Sequence, residues 1–397
     1  MPERGKGKAE LWPLLILPKR PFTRRHSSLQ FVYDQLAIRG KRGRMNRRDA
    51  EPEVSVIIPT LREAPLLVPL IDMLARQRDV ALEVILSDGC SRDGSIELAQ
   101  RAADAVAAPV IIVTGEPGRG GQLNRGAAEG RGEFLLFMHA DSCLPDPRSL
   151  RLSLDHLRMT AVDRGGPVAG KFRLCFVRSG ADHPFGYYYH ESKTRLLRRE
   201  CTHGDQGLLV PRPLFSRLGP FDESCSMLAE TRMADAILDE GRLCLLPSEI
   251  HTSARRFEAE GLPERQTLNA IIMNFAALDW QLFFREIPSL YPRQDQASPL
   301  PLRQLLRRIG ALIGTLPLRE RLSLWYRTGG YVRSNAWQLA FACDSLRNFR
   351  RGMPPGAGET PFLSIYDRHI EALTTNKGAS LLTSLLVRCW FFLKASR

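Results

Sequence analysis

The sequence predicts an α/β fold with a mostly parallel, Rossmann-like sheet and a C-terminal helical extension. Three observations predict it. From residue 53 to about residue 138, short apolar runs rich in β-branched residues alternate with helix-spaced stretches. That order gives parallel strands with helices on both faces. The unusual polar residues stand just after the apolar runs, where such sheets bind ligands. From residue 264 onward only helical spacing remains.

The elements follow in order. Val54–Pro59 (VSVIIP) reads as a buried strand ended by Pro. Leu66–Arg76 has helical periodicity, with Pro69 tolerable only in a first turn. Leu82–Ser87 is the next strand, Ser95–Val106 a helix and Pro109–Val113 a third strand. A Gly-rich loop, Gly115–Gly121, leads to a helix over Gln122–Glu129 and a fourth strand over Glu133–Met138. Val168–Phe176, Leu208–Val210 and Leu243–Leu246 read as strands, and Met227–Glu240 as a helix. Leu268–Leu282, Leu302–Leu316, Tyr331–Phe349 and Leu381–Leu393 read as helices, with a Pro/Gly linker at Met353–Gly358.

The 397 residues carry 56 Lys and Arg against 43 Asp and Glu, a net charge of +13. With 44% apolar and 25% charged residues, a wholly disordered chain, a collagen and a disulfide-stapled miniprotein are excluded. The charge sits on the flanks: +9 over residues 1–50, −6 over 51–300 and +10 over 301–397. A mildly acidic centre argues against nucleic acid as partner, and the flanks point instead to an anionic membrane surface. Eight cysteines without a CxxC read as thiols in a reducing compartment, hence a cytoplasmic protein, peripheral at a membrane. No run of 18 uncharged apolar residues marks a span. Residues 1–52 read as a basic, disordered segment. Met45 is a candidate start, and an Arg-rich, acid-poor transit peptide over 1–44 is the alternative.

Candidate site residues follow the strands. Asp88 stands at a strand end before Gly89, where a carboxylate can accept hydrogen bonds from a base or ribose; the competing reading is an Asx turn. Backbone N–H groups at the Gly115–Gly121 junction can hold phosphate, although the loop lacks the ending of a P-loop. In His139-Ala140-Asp141 the carboxylate can hold a divalent metal.

In this order and spacing the stretches Val54–Thr60, Glu63, Ser87–Ser95, Gly118–Ala127, Gly132–Asp141 and Gly204-Asp205-Gln206 resemble the family 2 glycosyltransferases, which have the GT-A fold. The resemblance covers about residues 53–285, leaving 286–397 as a helical, basic extension. His139-Ala-Asp141 and Thr252-Ser-Ala-Arg-Arg-Phe257 are similar to the signatures of a bacterial-type branch. The resemblance implies that Pro59, Thr60 and Glu63 line the nucleotide pocket and that Asp88 binds the uracil or ribose side. It implies Arg92 as a basic neighbour, Arg119 and Asn124 in the closing loop, and Arg255 and Arg256 on the diphosphate. Asp141 matches the last carboxylate of the family's Asp-X-Asp motif, which holds Mg²⁺ or Mn²⁺. His139 takes the first position, so one oxygen ligand is missing and Mn²⁺ suits the pair better. The family's base belongs to a Glu-Asp pair that falls here on Ala229-Glu230, leaving Glu230 as candidate base and Asp222 and Glu223 as backups. The bland alternative is an acid at a helix N-terminus.

The expected activity is transfer of a sugar from a nucleotide-diphosphate donor to a hydroxyl acceptor of lipid-like character, metal-assisted and inverting. A nucleotide-binding pseudoenzyme and a nucleotidyltransferase are the alternatives. Leu305–Leu318 and Leu381–Leu393 read either as helices lying in a membrane interface or as a bundle packed on the catalytic domain. Tyr187–Tyr189 and His190 read as acceptor-site lining or as packing.

Overall fold

The computed structural model describes residues 51–180, 184–224, 227–291 and 298–396. The basic N-terminal segment up to residue 50, with Met45 and the stretch read as a transit peptide, lies outside the described residues, as does Cys225.

Eight strands form one sheet: β1 (Val54–Thr60), β2 (Leu82–Asp88), β3 (Val110–Thr114), β4 (Phe134–Phe137), β5 (Ser142–Cys143), β6 (Ala169–Val177), β7 (Leu208–Pro211) and β8 (Leu243–Ser253). Their order is β3-β2-β1-β4-β7-β6-β8-β5. The first four pair in parallel, as do β6 and β8; β7 runs antiparallel to both its neighbours. Every residue of β1 and β2 is buried, as expected where helices cover both faces. Alternation then sorts the side chains. Val54, Val56 and Ile58 enter one core, and Ile57 enters the other with Leu123 and Phe137.

Helices α1 (Ala64–Ala75), α2 (Ser95–Ala105) and α3 (Arg119–Glu129) connect the parallel strands. Two differ from the pattern expectation. α1 starts earlier, so Pro69 lies in its interior rather than its first turn. α3 starts at Arg119, which makes the second half of the Gly-rich loop its first turn. Glycine lowers helix propensity, but the first turn has no intrahelical partner for its N–H groups, so the cost there is small. Helix α4 (Ser149–Asp163), helix α5 (Phe185–Thr194) and the long C-terminal half of β8 go unread in the sequence, although α4 buries Leu150, Leu154 and Leu157 at helical spacing.

α6 (Arg212–Leu218) and α7 (Ala229–Asp239) precede β8, and from residue 255 the described chain is helical: α8 (Arg255–Glu260), α9 (Leu262–Ala277), α10 (Gln281–Leu290), α11 (Leu302–Gly314), α12 (Leu318–Ser334), α13 (Trp337–Arg350), α14 (Pro361–Ile365), α15 (Glu371–Thr374) and α16 (Lys377–Ser396). The stretch expected as one helix over 331–349 is divided between α12 and α13 at Asn335-Ala336. A third core unites Leu228 and α9–α12 with Phe391 of α16, so the helical region shares side chains with the sheet domain's end. The described cysteines are all free thiols. By length and composition α16 could cross a membrane, and little of it is buried.

Candidate active site

The ends of β1, β4 and β8 and the N-termini of α3 and α7 converge on one cavity of about 2020 Å³. Pro59, Thr60, Glu63, Arg119, His139, Asp141, Asp205, Glu230, Arg255 and Arg256 all line it. The centre is a relay of side chains. Arg119 Nε donates to Glu230 Oε1 at 2.6 Å. His139 Nε2 lies 3.4 Å from the same oxygen, and His139 Nδ1 lies 3.9 Å from Asp141 Oδ1. His139 therefore stands between the candidate base and the candidate metal carboxylate.

Backbone geometry permits that crowding. Gly204 opens the Gly-Asp-Gln turn, and a Cβ there would lie 2.8 Å from both Glu230 Oε1 and His139 Nε2. Only glycine leaves room for both side chains. Burial alone would push the Glu230 carboxyl up, but Arg119 and His139 outweigh it and hold it well below the usual carboxylate range. Burial pushes Asp205 up, opposed by His139, and its Oδ1 is buried without a hydrogen-bond partner. Burial and then Asp141 raise Glu63, while Arg255 and Arg256 oppose the rise. These charges thus sit close enough to act on one another.

Three expected residues do other work. Asp88 is buried and stands outside the cavity lining. Its carboxylate accepts from Thr60 Oγ1 at 3.2 Å, from Ser91 N at 2.7 Å and from Ser91 Oγ at 2.6 Å. That is the Asx-turn reading, and it fixes the β2 loop that borders the site. Asn124 ties α3 to the 221–223 loop, accepting from Phe221 N at 2.8 Å and donating to Glu223 Oε1 at 2.7 Å. Arg92 is exposed and likewise outside the lining. Asp222 pairs with Arg232, so both backup acids are engaged.

Two residues escaped notice. Gln122 is buried and donates to Thr60 O and Ser87 O, each at 2.8 Å, clamping the ends of β1 and β2. Its place at the second turn of a Gly-rich junction was the available signal. Asp205 lay within a quoted motif without a role. Of the aromatic run, Tyr187 and Tyr188 pack inside, whereas Tyr189 and His190 border the cavity. Beyond them the lining turns apolar, with Leu228, Ile272, Phe275, Trp325, Leu382 and Leu386.

A model described as "Glycosyl transferase family 2" matches residues 55–163. A PGL/p-HBAD biosynthesis glycosyltransferase of Mycobacterium tuberculosis is 35% identical over 183 residues, 46% of this chain and 68% of that protein. The chain belongs to glycosyltransferase family 2. It is an enzyme, a glycosyltransferase. A dolichol-phosphate mannosyltransferase of Mycosarcoma maydis, also 35% identical, matches over 98 residues, 23% of this chain and 33% of its own. Among solved structures, a mannosyltransferase from Pyrobaculum calidifontis in complex with GDP-Man and Mn²⁺ is 19% identical with a TM-score of 0.45, covering 93% of each chain. The matched span of the family model ends before Asp205, Glu230, Arg255 and Arg256, so those four owe their grouping to the fold.

Proposed function

We propose that this glycosyltransferase moves a sugar, with inversion, from a nucleotide-diphosphate donor to a hydroxyl of a lipid-like acceptor. The observation that carries the reading is the single cavity. It joins a charged end, with Glu230, His139, Asp141 and two arginines, to an apolar end lined by helices. The charged end suits a diphosphate and the apolar end a hydrocarbon.

Asp141 and His139 would hold a divalent cation. Their facing O and N atoms on the cavity wall form a mixed pair that suits Mn²⁺ over Mg²⁺. When bound, such an ion neutralises charge on the diphosphate leaving group. Arg255 and Arg256, at the start of α8, would bind the same phosphates bidentately. Glu230 would take the proton from the acceptor hydroxyl as the new bond to the sugar forms and the bond to diphosphate breaks. Arg119 pairs with Glu230. An incoming diphosphate competes for that guanidinium, so donor binding would release the carboxylate when it is needed.

The test is release of nucleoside diphosphate by the purified protein with UDP- and GDP-sugars, Mn²⁺ and a short-chain lipid alcohol. The expected outcome is turnover that is lost in Asp141→Asn and Glu230→Gln. Donor binding without turnover under every condition would instead support a nucleotide-binding pseudoenzyme, the reading that Ala229 motivates.

A further inference from the structure

Helix α16 is inverted relative to an ordinary surface helix. Leu381, Leu385 and Phe392, with Leu382, Leu386 and Leu393 beside them, are each between 50% and 62% exposed. At 100° per residue they fall on one face. The opposite face carries Ser380, Ser384, Phe391 and Ala395. Ser384 Oγ donates to Trp325 O of α12 at 2.8 Å. A Cβ at Gly329 of α12 would lie 2.5 Å from Ser380 O and Ser384 N, so the two backbones all but touch. In water an amphipathic helix buries its leucines and exposes its serines. Close pairing through Gly and Ser, with leucines outward, is the solution adopted where the surroundings are as apolar as leucine.

Charge and position narrow the occupant. α16 has Lys377, Arg388 and Lys394 and no acidic residue, and residues 301–397 carry the +10 excess. Arg303 and Arg307 of α11 donate to Ser396 O and Ala395 O, fixing the helix's C-terminal end. The partner helix α12 adds Leu318 and Leu322, 65% and 51% exposed, but also Arg319 and Glu320 beside them. A helix paired lengthwise with so polar a neighbour suits the plane of an interface and not a crossing. Leu382 and Leu386 belong both to the outward face and to the lining of the active-site cavity.

We propose that the leucine face of α16 docks the enzyme on an anionic bilayer, its leucines in the acyl boundary and its Lys and Arg on lipid phosphates. The cavity then opens toward the bilayer at Leu382 and Leu386. That last clause rests on the lipid-acceptor reading above; the docking itself does not.

The experiment is flotation of the full chain with phosphatidylcholine vesicles, with and without phosphatidylglycerol, in the absence of donor. We expect flotation with the anionic vesicles, reduced at least about tenfold in Leu381→Glu/Leu385→Glu, since each change removes apolar burial and adds a repelled charge. Those two leucines stand outside the cavity lining. Should that variant fold poorly, Cys389, exposed on the same face, can carry an environment-sensitive dye after Cys90→Ser, Cys225→Ser and Cys343→Ser. Its emission should shift to the blue with anionic vesicles only. A chain that stays soluble, a double variant that floats as well as wild type, or a dye that does not respond overturns the proposal. Concentration-dependent self-association without vesicle binding also overturns it and assigns the face to a second copy. Nucleoside diphosphate release with a soluble acceptor is scored separately, so failed docking with retained turnover rejects the docking alone.

Discussion

Arg119→Gln tests the relay at the centre of the site. The wild-type guanidinium lies 2.6 Å from Glu230 Oε1, and its side chain is 28% exposed against 9% for the glutamate. Two unit charges with centres about 4 Å apart attract by about 4 kcal/mol at an effective dielectric near 20. Partial exposure of the arginine reduces that to roughly half. The sign follows from which form is favoured. Arg119 stabilises the carboxylate, so wild-type Glu230 sits below its ordinary 4.5 and remains deprotonated wherever the protein is folded. Without Arg119 burial acts with less opposition and the carboxyl rises. The assay is kcat/KM for nucleoside diphosphate release from the lowest pH at which both proteins remain folded up to pH 9. Wild type should show no acid limb from Glu230, whereas Arg119→Gln should lose activity as pH falls through the new, higher pKa. KM for the donor should also rise, because the same arginine borders the diphosphate end. Superimposable acid limbs in the two proteins would refute the reasoning, as would Glu230→Gln retaining more than about a hundredth of wild-type kcat, given what a general base contributes.

Three further outcomes are expected. Removing divalent ions with EDTA should abolish turnover, Mn²⁺ should restore it better than Mg²⁺, and Asp141→Asn should raise the Mn²⁺ concentration needed, read from initial rates against metal concentration. Burial holds His190 down to about 3 and His203 well below its ordinary value. The unfolded chain then binds more protons below about pH 6.5, so stability is lost as pH falls through that value, by about 1.4 kcal/mol per unit per histidine. Urea midpoints at pH 7 and pH 5 measure it, and His190→Phe should flatten the slope. Gly329→Ala should cost about 1–3 kcal/mol by forcing α12 from α16, read as a lower urea midpoint in the absence of lipid.

The catalytic half of the molecule was legible because its order is local. β1, β2 and β4 are dense apolar runs, each followed by polar residues that must lie at a strand end, so Thr60, Asp88 and Asp141 could be located by counting. What counting cannot supply is the partner across space. Asp88 and Asp141 look alike in sequence: an acid at a strand end near Gly or Ala. Ser91 and Thr60 saturate the first, while only the half-exposed His139 faces the second. The same holds for Glu230. Its place in a helix's first turn was readable, but the Arg119 contact spans 111 residues of sequence. Asp205 lay in a motif placed by order and spacing, but nothing local gave it a role; its burial beside His139 does.

The C-terminal helices show a different limit. Spacing reveals that Leu381–Leu393 is an apolar helix, but periodicity is blind to which of its sides turns inward; Ser380, Ser384, Phe391 and Ala395 do. Here close approach on the inward side is permitted by Gly329, a glycine in the middle of another helix, where it costs helix propensity and serves no turn. The cost makes sense if close approach of α12 and α16 is worth more than the propensity lost. That approach also seats Phe391 of α16 against Trp325 of α12. The glycine that brings α12 and α16 together and the leucines left outward are one feature, and the anionic bilayer is the surface we propose for it.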